Sequence, residues 1–320
     1  MEENKKSVID VIGLTNSQGE SIAEEAIKEY EEKDRSMKIA KAKENVKKFY
    51  FILMILCLTV FVGSLIKLIT IQLEYKKGVD TYDDIANEFV VVNPTESPEN
   101  TANQRIDIDD AAASFVTPQT PAPIQKLEVN FDKLKDVNED IIGWIYSYDT
   151  AINYPIVQGE DNDYYLKHLF NKKSNKAGSI FMDAINNRDF TDDNTMIYGH
   201  HMNNGSMFAS LSNYKSQSYY EAHPYIYIVT PDKDYRIEVF SGYVTDFDSE
   251  AYTVTFADDE SKEDFIKKVK KKSSFKSKVE VSAEDYLITL STCDYTYKNA
   301  RYAVHGKLVP IESAKGELGQ

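Results

Sequence analysis

Cysteine is nearly absent: two thiols, Cys57 and Cys293, occur in 320 residues. That excludes a disulfide scaffold and a zinc site built from cysteine alone. Nine prolines and thirteen glycines are too few for a collagen-like or proline-rich fibre. Basic side chains are in deficit, 37 against 52 acidic ones, for a formal charge of −15. A general nucleic-acid binder needs a basic face to neutralise phosphates, so that class is excluded too. What the chain does hold is 22 Tyr and 15 Phe, a composition that favours strands. At 42% hydrophobic and 28% charged, most of it can fold in water as one or two domains.

The charge is unevenly spread. Residues 1–73 hold 11 basic and 11 acidic side chains, so the whole excess of acid lies in 74–320. The two parts are separated by an apolar run, 49–66, without a single charge. Lys67 interrupts it and apolar residues resume to Leu73. A helix over 49–73 is about 37 Å long, enough to cross a hydrocarbon core of about 30 Å with tilt. Lys67 near one end can snorkel to the headgroups. The run starts too late in the chain for a cleaved signal peptide, and no small-x-small site follows closely, so an uncleaved transmembrane anchor is expected. Lys33, Arg35, Lys38, Lys41, Lys43, Lys47 and Lys48 precede the run and only Lys76 and Lys77 follow it closely. The positive-inside rule then places the N-terminus in the cytoplasm and residues 74–320 outside the plasma membrane.

The cytoplasmic arm, 1–48, is expected to be largely helical, with Ser21 and Glu24 as a capping box. Residues 74–125 read as an extracellular spacer, weakly helical at first and then rich in proline. Five of the nine prolines fall between 93 and 125. Residues 126–312 form the expected folded domain, with 313–320 as a tail. Within it, β-branched and aromatic runs predict strands at 140–146, 153–158, 179–182, 195–198, 225–230, 235–244, 286–293 and 301–308. Helices are expected at 131–138 and 261–272, the latter opened by Ser261 and Asp264. The fold class is mostly β: a barrel with a few peripheral helices.

Cys293 is the lone thiol outside the membrane run. It is buried and inert, or pairs between chains, or is a working nucleophile. It ends an apolar strand, and Arg301 opens the next, so a hairpin brings the two together across a seven-residue loop. A guanidinium there can lower the thiol pKa or donate to an oxyanion; an ion pair with Asp294 is the plain alternative. A thiol nucleophile also needs an imidazole. The candidates are His168, His200, His201, His223 and His305. His200 follows Gly199 at the end of a strand, where a sharp turn can aim its ring across a rim. No H-E-x-x-H or C-x-x-C is present, and the Cys/His spacings match no common zinc site, so no metal or other cofactor is expected.

Thr289-Leu290-Ser291-Thr292-Cys293, with Arg301 eight residues on, resembles the signature of sortases. Tyr198-Gly199-His200-His201-Met202 with Gly205-Ser206-Met207-Phe208 is similar to the class B subgroup. So are Asp140-Ile141-Ile142-Gly143-Trp144-Ile145, Asn153-Tyr154-Pro155 and Asp161-Asn162-Asp163-Tyr164-Tyr165-Leu166. The resemblance covers about 128–310. It implies a closed barrel of about eight strands and a membrane-anchored cysteine transpeptidase of a Gram-positive cell. It implies Cys293 as nucleophile, His200 as general acid/base and Arg301 as transition-state stabiliser. Ser291, Thr292 and Tyr295 are candidate substrate contacts through adjacency to Cys293. The implied partners are secreted proteins with a C-terminal sorting signal and an amine acceptor on peptidoglycan or a pilin lysine. Two other functions compete: a hydrolytic thiol peptidase, and a non-catalytic surface-binding domain in which Cys293 is a core residue.

Overall fold

The computed structural model describes residues 17–93 and 126–311. The expectations for 1–16, 94–125 and the tail 313–320 lie outside the described residues. The chain divides into two compact units between Gln72 and Leu73.

Helix α1 spans Ser17–Phe89. Ser21 therefore lies inside it, after the first described turn. Propagation adds one hydrogen bond per residue fixed, so a long Ala/Glu/Lys helix extends back through a single Ser-Gln-Gly-Glu turn. In the first unit, α1 carries the uncharged run, with a mean hydropathy of 2.6 over an 18-residue window and none of that window covered by protein. By length and composition it can cross a bilayer.

The second unit begins at Leu73, well before the expected boundary at 126. Tyr75, Tyr82, Ile85, Ala86 and Phe89 recur at helical spacing and pack into its core, an apolar stripe that the polar residues between them conceal in the sequence. Strand β1, Val90–Asn93, then pairs antiparallel with β2, Lys126–Val129, with Asn93 opposite Lys126. Residues 74–93 are thus helix and strand packed on the barrel, where the sequence reading had the start of a spacer.

Helix α2 (Phe131–Val137) is capped by the Asn130 side chain, which accepts from Lys133 N–H at 3.2 Å. Eight strands follow: β3 Ile141–Tyr146, β4 Asn153–Val157, β5 Ile180–Met182, β6 Asn194–Tyr198, β7 Tyr225–Val229, β8 Asp234–Asp246, β9 Leu287–Cys293 and β10 Ala300–Ile311. They close into a barrel in the order β10-β8-β7-β3-β4-β5-β6-β9. Two neighbours run parallel, β4 with β5 and β6 with β9. Trp144, Ile145, Ile156, Ile197, Ile226, Ile228, Ile288 and Leu290 are among the buried core residues. The short helix α3 is Gln217–Ala222.

A second, smaller core lies under α4, Asp259–Lys272, whose Phe265, Ile266 and Val269 pack on Phe240, Tyr243, Leu287 and Ala303. The helix starts two residues before the expected Ser261. Asp258 is the cap: its carboxylate accepts from Ser261 N–H at 2.8 Å, and Ser261 Oγ accepts from Asp258 N–H at 3.2 Å. Ser261 is the return arm of the capping box and Asp264 has no part in it.

His305 is sealed in beneath this helix, 1% exposed. Its ring stacks on Tyr243 and Nδ1 shares a hydrogen bond with Thr289 Oγ1 at 2.9 Å. Burial, with a smaller effect of the Lys272 charge, pushes its pKa down to about 3. An unfolded histidine titrates near 6.5, so between those values the unfolded chain binds the extra proton. This contribution to stability is complete above pH 6.5 and is lost as pH falls toward 3. Over pH 6.5 to 5 the loss is about 2 kcal/mol. His305→Gln should flatten the pH dependence of urea unfolding of the detergent-solubilised chain over that interval; an unchanged slope would exclude His305 as its source.

Candidate functional site

Three strand ends meet at one rim of the barrel. Parallel pairing sets Tyr198 of β6 beside Ser291 of β9, and the register is extended by Gly199 N–H donating to Ser291 C=O at 3.1 Å. The chain leaves β6 there, so His200 comes alongside the end of β9, where Cys293 is the last strand residue. Antiparallel pairing of β9 with β10 puts Arg301 opposite Cys293. The three side chains share a cleft of about 440 Å³.

Gly199 serves this arrangement by its size. The glycine is not in the left-handed region; an added Cβ would lie 2.5 Å from Ile180 Cδ1 and 2.7 Å from the Phe208 ring. Close packing of the His200 segment against the barrel, more than a sharp turn, is what requires it.

The Cys293 thiol and the His200 imidazole line the same cleft, and each shifts the pKa of the other. The thiol pKa is lowered, first by His200 and further by the Arg301 charge, against the opposing effect of burial. The imidazole pKa is raised, first by its hydrogen bond with Cys293 and also by the Leu166 carbonyl, against burial and Arg301. Both shifts favour a thiolate–imidazolium pair. His200 Nε2 donates to Leu166 C=O at 2.8 Å, which leaves Nδ1 for the thiol.

Arg301 is not held in an ion pair. Among the described residues no carboxylate pairs with it, and its Nη1 donates to Asn299 C=O at 3.4 Å and Ala300 C=O at 3.1 Å. Asp294, the alternative partner considered from sequence, is taken by Lys215 at 2.6 Å and by Thr296. Arg301 therefore keeps guanidinium donors for a ligand in the cleft.

The three adjacent candidates separate. Ser291 and Thr292 line the cleft. Ser291 Oγ shares a hydrogen bond with Tyr252 Oη at 2.8 Å; Thr292 is 1% exposed, and among the described residues its Oγ1 has no hydrogen-bond partner. Tyr295 does not line this cleft. It is 69% exposed and borders a separate groove with His201. The 294–300 loop contributes no residue to the cleft, whereas Phe247 and Tyr252, from the segment before α4, do. Sequence reasoning does not name Leu166, Tyr198, Phe247 or Tyr252 individually as cleft residues, although the segment before α4 is where it places substrate contacts. They carry no signal of their own, since aromatic and aliphatic residues on a strand or turn read equally well as core.

The other histidines are engaged elsewhere. His201 Nδ1 meets Ser212 Oγ at 3.2 Å and its ring meets the Tyr295 ring edge-on. His168 stacks on Tyr164. His223 Nδ1 meets Tyr148 C=O at 3.1 Å. His305 is buried under α4. Among the described residues no three His, Cys, Asp or Glu side chains converge as a metal site.

The chain matches the Sortase domain over residues 147–309. It is 41% identical to sortase B of Listeria monocytogenes over 216 residues, which is 66% of this chain and 87% of that protein. A solved sortase B–substrate complex from Staphylococcus aureus superposes with a TM-score of 0.55 at 36% identity, covering 57% of this chain and 85% of that one. Sortase B from Bacillus anthracis, in complex with AAEK1, superposes with a TM-score of 0.59 at 33% identity, covering 75% and 99%.

The mutual shifts of Cys293 and His200 predict how the thiol reacts. Iodoacetamide should alkylate Cys293 with a pH limb below that of a free thiol. His200→Ala should move the limb up, because the largest lowering influence is gone, while His201→Ala should leave it in place. A limb that moves with His201 and not His200 would assign the wrong imidazole.

Proposed function

Because this chain belongs to the sortase family, cysteine transpeptidases that anchor proteins to the cell wall, we propose that Cys293 is its nucleophile, His200 its general acid/base and Arg301 its oxyanion stabiliser. The observation that carries the assignment is the sharing of one cleft by a thiol, an imidazole that lowers the thiol pKa and an arginine with donors to spare.

The substrate is the sorting signal of a secreted protein, held in the cleft. Cys293 thiolate attacks the carbonyl carbon of a threonine in the signal. A C–S bond forms, and the carbonyl oxygen becomes an oxyanion facing the planar Arg301 fork. The C–N bond then breaks, and the departing amine takes its proton from His200. A thioester remains on Cys293. An amine of the cell wall, or a pilin lysine, attacks the thioester and gives up a proton to neutral His200. The C–S bond breaks, Cys293 leaves as the thiolate beside the protonated His200, and a new amide is formed. Bond energy is conserved through the thioester, so no nucleotide is spent.

Ser291, Tyr252 and Phe247 form the side of the cleft facing the signal. Tyr252 stays protonated, since burial raises its phenol pKa, and the Tyr252–Ser291 pair offers fixed polar groups to a peptide. Residues 49–73 serve as a single-pass anchor in the plasma membrane. The lysines before them keep the arm in the cytoplasm and the catalytic unit on the extracellular face.

The test is intact-mass analysis of the detergent-solubilised chain with a pool of sorting-signal peptides, with and without an amine acceptor. A Cys293 acyl adduct that converts to an amide product supports the reading. Conversion to free acid alone, whatever the amine concentration, makes the protein a hydrolytic peptidase. Cys293→Ala should form no adduct and remain folded. Arg301→Lys should lose about 10²-fold or more in turnover, because a point charge does not replace the planar fork. Undiminished turnover in either variant sinks the assignment.

A further inference from the structure

The helix–strand segment 74–93 lies outside the matched Sortase domain, 147–309, yet it reaches the two structures that hold His200. We propose that this segment is a positioning element for the imidazole and that Tyr82 is its positioning residue. The inference rests on His200 acting on Cys293 as proposed above.

Tyr82 is 3% exposed. Its hydroxyl donates to Gly178 C=O at 2.6 Å and lies 3.3 Å from Ser179 Oγ. Gly178 sits with φ +58 directly on the carbonyls of Tyr165 and Leu166; a Cβ there would lie 2.7 Å and 2.8 Å from those oxygens. Ser179 N–H donates to Tyr165 C=O at 2.9 Å, and Ser179 Oγ donates to His168 C=O at 2.8 Å. The Tyr164–Leu166 turn is therefore gripped by the two residues that Tyr82 holds. Leu166 C=O, the end of that turn, is the acceptor for His200 Nε2.

A second branch leaves the same ring. Tyr82 packs edge-on against Tyr154, centroids 5.1 Å apart. Tyr154 Oη accepts from Met207 N–H at 2.8 Å. The next residue, Phe208, donates its N–H to His200 C=O at 3.0 Å. One branch thus fixes the partner of the imidazole and the other the main chain that carries it. The segment is itself clamped next to this turn: Glu74 pairs with Lys176 at 2.8 Å, and Asn175 Nδ2 donates to Glu74 C=O at 3.2 Å.

Tyr82 acts by position and not by charge. Burial raises its phenol pKa, so it stays neutral. The titratable and charged groups that share the cleft with His200 are Cys293, Arg301, Asp163, Tyr198 and Tyr252, and none of them belongs to the 74–93 segment. Loosening Leu166 C=O withdraws an influence that raises the imidazole pKa. The imidazolium then weakens, and with it the main influence lowering the thiol. The pH range over which the thiolate–imidazolium pair exists narrows from both sides.

Tyr82→Phe keeps the ring and its packing on Tyr154 and removes only the hydroxyl. In the full detergent-solubilised chain, the iodoacetamide limb of Cys293 should move up by about half a pH unit, and turnover should fall about 10-fold. Val269→Ala, under α4, serves as a control for lost stability alone: it should lower the melting temperature and leave the limb in place. A Tyr82→Phe protein that is folded, with a limb and turnover equal to those of the unmodified chain, overturns the proposal. If Tyr82→Phe does not accumulate as folded protein, Tyr154→Phe, which cuts the second branch, is read by the same two measurements with the same deciding results. A free-thiol limb in the unmodified chain overturns the Cys293–His200 reading itself, and this proposal with it. That outcome is distinguishable because it appears before any substitution is made.

Discussion

The parallel pairing of β6 with β9 is the constraint on which the cleft depends. Parallel neighbours share direction, so both strands end at the same rim of the barrel. His200 and Cys293 lie 93 positions apart in the sequence, yet each follows the same ladder to its end. The Tyr198–Ser291 register and the Gly199–Ser291 hydrogen bond set the level at which the two side chains emerge. A slip of one residue in that ladder would turn one of them to the opposite face. Antiparallel β10 then needs only its own first turn of register to bring Arg301 into the group.

The electrostatics of the cleft depend as much on what is kept out as on what is present. Asp294 follows Cys293 directly and, if free, would oppose formation of a thiolate and capture the guanidinium. It is instead 6% exposed and bound to Lys215 and Thr296, and its carboxyl pKa is lowered, with the Lys215 and Thr296 hydrogen bonds overcoming burial. It is ionised but already neutralised. Among the described residues Arg301 has no carboxylate partner, and its charge acts on the thiol in the same direction as His200. The second core under α4 holds His305 neutral, so that imidazole adds no charge to the sheet that carries Cys293.

Much of this was legible in the sequence, for identifiable reasons. Strands such as Tyr225–Val229 and Leu287–Cys293 announce themselves by β-branched and aromatic content between turn residues. Cys293 stood out because it had no competitor outside the apolar run, and Arg301 because a hairpin has only one way to return. The barrel closure was carried by the sortase resemblance, since no local pattern says that β6 neighbours β9. The start of α4 was misplaced because Asp258 and Ser261 form a capping box in which the acid comes first, the reverse of the pattern sought. The packing of 74–93 was missed for a different reason. Its buried residues are tyrosines and single aliphatics spaced among Lys, Glu and Asp, and a lone stripe of that kind gains meaning only beside the surface it covers. The separation of Tyr295 from the cleft was likewise invisible, because adjacency in sequence does not say which side of a rim a side chain will take.

The pairing of β1 with β2 has a consequence for proteolysis. Asn93 and Lys126 are register partners, so the chain leaves the barrel unit and returns to it at one place. In the sequence, the proline-rich stretch 94–125 joins these two paired strands. A protease that cuts within 94–125 severs the covalent chain without shedding the barrel. The two fragments stay joined by the β1–β2 ladder and by the burial of Tyr82 and Ile85, as in a nicked protein whose halves are complementary.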